Sequence, residues 1–253
     1  MTRDLVHEFI LETGKAPTLA RSMPSRGTWS KVLAFEPVAG LLAVSNWVSD
    51  DVTVLDYRSG DLVKRLGGLA TPRGLAWSQD GSGLFVASFG GGRVYGFDTA
   101  DWKRRILVDV PGAAFRHLVA TLDGKRLFAS DMDNRSVLEI DISSLQVLHE
   151  FRTDSNPNTI DLGPGDALLA VSCRGPNNPE SYILRSPEPG CVILFDTLTG
   201  KEIARVTGGA QPTGLDISPD GRLLAFSNFQ DATVEVNDIS ALEAGKIVPL
   251  VTP

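Results

Sequence analysis

PTGLDISPDGRLLAFSNFQDATVEVNDIS, residues 212–240, decides the fold. It divides into short apolar runs separated by turn chemistry. Leu215–Ser218 reads as a first strand, and Pro219-Asp220-Gly221 is a sequence that closes a tight turn. Leu223–Ser227 reads as a second strand, Asn228–Ala232 as a polar loop, and Thr233–Asn237 as a third strand with β-branched alternation. A fourth strand is expected near Lys246–Val251. Four short antiparallel strands cannot bury both faces alone, so such a unit needs neighbours of its own kind.

Those neighbours are written along the chain. Five times, an apolar run ending in Ser is followed by a second apolar run ending in Asp. The serines are Ser45, Ser88, Ser130, Ser172 and Ser227, separated by 43, 42, 42 and 55 residues. The aspartates are Asp56, Asp98, Asp141, Asp196 and Asp238, separated by 42, 43, 55 and 42. Both markers give the same period and the same interruption. Asp-Gly turns recur at Asp80-Gly81 and Asp123-Gly124. A period of this length with four strands per unit describes an all-β chain of β-propeller blades. VHEFILETGK (Val6–Lys15) lies without gaps on VILFDTLTGK (Val192–Lys201). Residues 1–27 therefore read as the outer two strands of an incomplete blade, and 28–253 as five full blades. All belong to one propeller domain, 1–253. Leu250-Val251-Thr252-Pro253 echoes Leu69-Ala70-Thr71-Pro72, a blade junction. A closed ring removes its sheet edges. A capping half-blade, a partner that supplies strands, and a longer propeller are all open readings.

Composition narrows the function classes. With 42% hydrophobic and 22% charged residues the 253-residue chain reads as soluble and globular. A net charge of −7 argues against nucleic acid and anionic membranes as partners. No apolar run approaches the ~18 residues of a membrane span. MTRDLVHEFILETGKAP carries acids where a signal peptide is apolar, so no export signal is read. GxSxG, Walker A and HExxH strings are absent, and no cofactor is expected. Asp131-Met132-Asp133-Asn134 lacks the Gly and distal Glu of an EF-hand loop. The three histidines, His7, His117 and His149, do not cluster, and no metal site is expected.

The consensus PxGLxxSxDGxxLxxSNxxxxxVxVxD resembles the YVTN-type repeat of surface-layer-like and periplasmic bacterial β-propellers, over roughly residues 28–240. The strings SNWVSDDVTVLD, SNPNTIDLGPGD, SCRGPNNPESY and GGAQPTGLDISPDG are similar to one subgroup of those propellers. The resemblance implies a seven-bladed relative and a periplasmic or cell-surface location. It says almost nothing about activity, since propellers host binding and catalysis alike.

The interruption of the repeat is the first candidate site. The 173–191 insertion should overhang the face that carries the connections between blades. It offers Arg174, Asn177, Asn178, Glu180, Tyr182 and Arg185 on a backbone stiffened by Pro176, Pro179, Pro187 and Pro189. An ordered Ω-like loop packed on its neighbours is the plainer alternative. Cys173 and Cys191 flank it on strands expected to pair, as a disulfide or as two buried thiols.

The second candidate is a ring. Just before the first strand of each blade stand Lys31, Arg73, Arg116, Asn158 and Thr213, with His117 adjacent. Gathered at the channel mouth they would favour a small anion. The alternative pairs each Arg with a carboxylate of a neighbouring blade, such as Asp131, Asp133 or Asp161. The expected function is non-catalytic binding of a protein, peptide or small anion. The alternative is a lyase or hydrolase using Arg116, His117 and the loop polar groups at the mouth. A third reading is self-association through the incomplete blade.

Overall fold

The structure is a computed structural model that describes residues 4–36, 38–242 and 247–251. Among these, strands pair into one two-stranded and five four-stranded antiparallel sheets. The two-stranded sheet holds β1 (Leu5–Ile10) and β2 (Thr18–Pro24), as expected for an incomplete blade. Blade one holds β3 (Ser30–Glu36), β4 (Leu41–Asn46), β5 (Asp51–Asp56) and β6 (Leu62–Gly67). Blade two holds β7 (Pro72–Trp77), β8 (Gly83–Ser88), β9 (Arg93–Asp98) and β10 (Arg104–Asp109). Blade three holds β11 (Phe115–Ala120), β12 (Arg126–Asp131), β13 (Ser136–Asp141) and β14 (Val147–Arg152). Blade four holds β15 (Pro157–Leu162), β16 (Leu168–Cys173), β17 (Cys191–Asp196) and β18 (Glu202–Thr207). Blade five holds β19 (Pro212–Ile217), β20 (Leu223–Asn228), β21 (Thr233–Asp238) and β22 (Val248–Val251); the expected start of β22 at Lys246 lies outside the described residues. No helix among the described residues is long and apolar enough to cross a membrane.

Burial explains why the repeat reads as it does. In blades one to four the second and third strands are covered on both faces, hence runs such as LLAVSN and DVTVLD. Outer strands such as β6 and β14 are largely exposed. The recurring Asp caps the turn into the fourth strand: Asp56 accepts Ser59 N, Asp141 accepts Ser144 N, and Asp196 accepts Thr199 N, at 2.7, 2.7 and 2.6 Å. In the Asp-Gly turns Gly81, Gly124 and Gly221 take φ of 72°, 69° and 70°, a region costly for any residue with a Cβ.

The recurring Ser links blades. Ser45, Ser130 and Ser172 donate their hydroxyls to the carbonyls of Arg73, Asn158 and Thr213 in the next blade, at 2.8, 2.7 and 3.0 Å. Ser88 falls out of this register. Strand pairing places Ala87, not Ser88, level with these serines, since Leu75 pairs with Val86 as Leu118 pairs with Ala129. Ser88 lies one residue later and donates to Ala70 O within its own blade.

Inner strands pack in series, β3 on β7, β7 on β11, β11 on β15, and β15 on β19. Apolar clusters fill the spaces between blades. Val52, Val94, Val137 and Val192, which face the following blade, are 0% exposed, whereas their counterpart Val234 in blade five is 56% exposed. At the other end Val6 and Met23 pack on Leu42, Val44 and Leu55, while Leu33 and Phe35 on β3 stay half exposed.

Candidate functional site

Lys31, Arg73, Arg116, Asn158 and Thr213 occupy one position of the repeat, each two residues before the inner-strand residue (Leu33, Leu75, Leu118, Ile160, Leu215) that pairs with Val44, Val86, Ala129, Val171 or Phe226 of the second strand. Arg174, at the root of the insertion, joins them. Arg116, nearly buried, donates to Asn158 Oδ1 and lies 3.5 Å from Met132 Sδ. Arg174 donates to Oε1 of the fully buried Gln211. The Lys31 ammonium sits 4.4 Å over the Trp29 ring and 5.8 Å from that of Trp47, and the Arg73 guanidinium is 5.6 Å from the Trp47 ring.

No carboxylate answers these four cations: none takes part in an ion pair among the described residues. The alternative, in which the ring arginines pair with Asp131, Asp133 or Asp161, is not formed among the described residues. Asp131 instead accepts Ala114 N and caps Asn134, and Asp161 accepts the N–H groups of Leu162 and Ile217. All four cations are held below their ordinary range, first by burial. Lys31 is further lowered by Arg73 and Arg116, and Arg73 by Arg174. Arg116, beside Arg73 and Arg174, is pushed down to about 9. Three buried donors, Asn158 Nδ2, Arg174 Nε and Gln211 Nε2, have no partner among the described residues. Buried donors are normally paired, so a cluster of orphaned ones marks a place where an acceptor fits.

His117 faces the same region. Burial first, then Arg73 and Arg116, push it down to about 4, while Ile160 N approaches its Nδ1 at 3.5 Å. Its imidazole is neutral at pH 7 and touches no carboxylate among its hydrogen-bond partners.

The insertion packs on its neighbours. Ser186 N donates to Gln230 Oε1 at 2.8 Å, Gln230 Nε2 donates to Leu184 O at 2.8 Å, and Arg185 pairs with Asp231. These contacts fasten the loop to blade five. Asn178 is spent inside it on Arg185 O and Glu180 N, Asn177 is exposed, and Tyr182 is 66% exposed with its carbonyl near Gln230. Of the expected loop residues, the structure brings only Arg174 to the cations.

Cys173 and Cys191 stand directly opposite on β16 and β17 and are free thiols, not a disulfide. The hydrogen bond with Cys191, then burial, raises the Cys173 thiol well above its usual range. Cys191 Sγ lies 3.3 Å from Asp154 Oδ2. Gln211 escaped the sequence reading, as did Trp47, Phe89, Met132 and Phe229, which follow the second strands of the other four blades, two places past Ser45, Ala87, Ser130 and Ser227. That offset was the available signal. A recess of about 900 Å³ lies elsewhere, between blades two and three, lined by Gly83, Phe85, Arg105 and Asp123. Gly83 stands there where blade one has Leu41, since Gly83 pairs with Asp98 as Leu41 pairs with Asp56.

No protein-family model matches the chain. It is 34% identical over 244 residues to Antigen Lp49 of Leptospira interrogans serogroup Icterohaemorrhagiae serovar copenhageni (strain Fiocruz L1-130), covering 93% of this chain and 53% of that protein. The chain thus spans about half the length of the curated relative it matches. Kuenenia stuttgartiensis hydrazine synthase superposes with a TM-score of 0.76 at 24% identity, over 90% of this chain and 69% of that one. Two 6-phosphogluconolactonase-like proteins also superpose. The Bacteroides fragilis protein gives a TM-score of 0.77 at 15% identity, over 97% and 76% of the two chains. The Bacteroides uniformis protein gives 0.75 at 17%, over 96% and 76%. At these identities the likeness shows the fold alone: a multi-blade β-propeller.

Proposed function

We propose that this chain is a propeller of the YVTN repeat type that works by binding, and that its inter-blade mouth takes up an anion. The observation that carries this is a cluster of four cations with orphaned buried donors on Asn158, Arg174 and Gln211, and with no carboxylate among the described residues answering the charge. Burying like charges together is unfavourable unless something of opposite sign completes the site. Against the lyase or hydrolase alternative, His117 has no acid hydrogen-bond partner among the described residues to form a proton-transferring pair. The solved neighbours named as enzymes share too little sequence to lend their chemistry.

Thermal melts at fixed ionic strength test the reading. Acetate or phosphate should raise the melting temperature of the parent protein, by about 2–4 °C for each kcal/mol of linkage. Arg73→Gln and Arg116→Gln should melt higher than the parent without anion, because repulsion is relieved, and should lose the anion response. A parent melt indifferent to both anions would refute the site.

A further inference from the structure

A second ring lies beside the first. The residue after the second strand of each blade is Trp47, Phe89, Met132, Arg174 or Phe229. Each donates its N–H to the residue two places before the cation-ring position: Trp29 O, Thr71 O, Ala114 O, Asn156 O and Gln211 O, at 3.0–3.1 Å. Equivalent hydrogen bonds put these five side chains at equivalent places round the mouth. Four are apolar, and Arg174 is the exception. The Trp47 and Phe89 rings lie 5.0 Å apart, tilted by 46°, and Met132 reaches the Arg116 guanidinium. Trp29 and Phe229 are 49% and 67% exposed. Large apolar side chains clustered at a polar opening mark a recognition surface.

Resting on the reading of the mouth as an anion site, we infer that its ligand is a carboxylate carrying a flat apolar body. The carboxylate meets Arg116, Asn158 and Arg174, and the body lies against Trp47 and Phe89. Planar amide and guanidinium donors match a planar carboxylate. An apolar wall gains nothing from a small, fully hydrated ion and gains area from an aryl group. A free small molecule and the C-terminus of a peptide ending in an aromatic residue present the same chemistry.

Titration calorimetry on the parent at fixed ionic strength decides, with acetate, inorganic phosphate and phenylacetate as probes. A short peptide ending in Phe is added as free acid and as amide. Phenylacetate should bind at least about tenfold tighter than acetate or phosphate. Trp47→Leu, with Phe89→Leu as a second variant, should shrink the phenylacetate-to-acetate ratio to about threefold or less. If acetate or phosphate equals phenylacetate, the ligand class is wrong while the anion site stands. If no anion binds, both fall. A peptide acid that outbinds phenylacetate while its amide is silent identifies a protein terminus as the source. A silent peptide beside tight phenylacetate identifies a small molecule. Either supports the carboxylate class.

Discussion

Asp161 shows how one side chain can oppose the fold that holds it. It sits on β15 three residues beyond Asn158, and burial pushes its carboxyl up to about 6, with Asp216 of the next blade adding repulsion. Backbone N–H groups of Ile217 and Leu162 pull the other way without winning. A folded-state value above the unfolded one means that the folded protein holds the proton longer. This contribution to stability is therefore full below about pH 4 and is lost as pH rises through about 6. Asp161→Asn keeps an acceptor for Ile217 and sheds the charge. It should stabilise the protein at pH 7 by about 2 kcal/mol and flatten the pH 4–6 slope of the melting temperature. An unchanged slope would assign that dependence to another group. Sequence alone offered Asp161 among the carboxylates that would pair with the ring arginines. Residue spacing gave both positions, yet which neighbours each side chain meets is set by the stagger of one blade on the next.

At the scale of strands and loops, period and strand order were readable because each blade repeats one burial pattern. The slip at Ser88 was not. Ala87-Ser88 carries a serine in nearly the right place, and only hydrogen-bond register shows it to be one residue late. The consequence is measurable. Blade two lacks the hydroxyl that elsewhere ties a second strand to the next blade's inner strand. Ala87→Ser should supply it, bonding Arg116 O and Gly74 N as Ser45 bonds Arg73 O and Val32 N. A gain of about 1 kcal/mol, or roughly 2–4 °C in melting temperature, is expected. A lower melting temperature would mean that the hydroxyl is buried unpaired. The landing place of the insertion was equally hidden. Its length was plain, but its anchors Gln230 and Asp231 stand a blade away.

Across the whole molecule, cover is uneven. The forward faces of blades one to four are sealed by a neighbour, while that of blade five leaves Val234 and Leu223 to water. Amides protected only by local pairing open more readily than amides locked beneath a second sheet. Hydrogen exchange in β20 and β21 should be at least about tenfold faster than in β8, β9, β12 and β13. Equal protection along the series would show that blade five is covered in solution. The cationic mouth bears on the same unevenness. Lys31, Arg73, Arg116 and Asn158 come from four successive blades, and Gln211 leads into the fifth. Sheets that otherwise lean only on the sheet beside them would, with an anion among those groups, share a keystone. Loss of any one blade would then be felt by all of them.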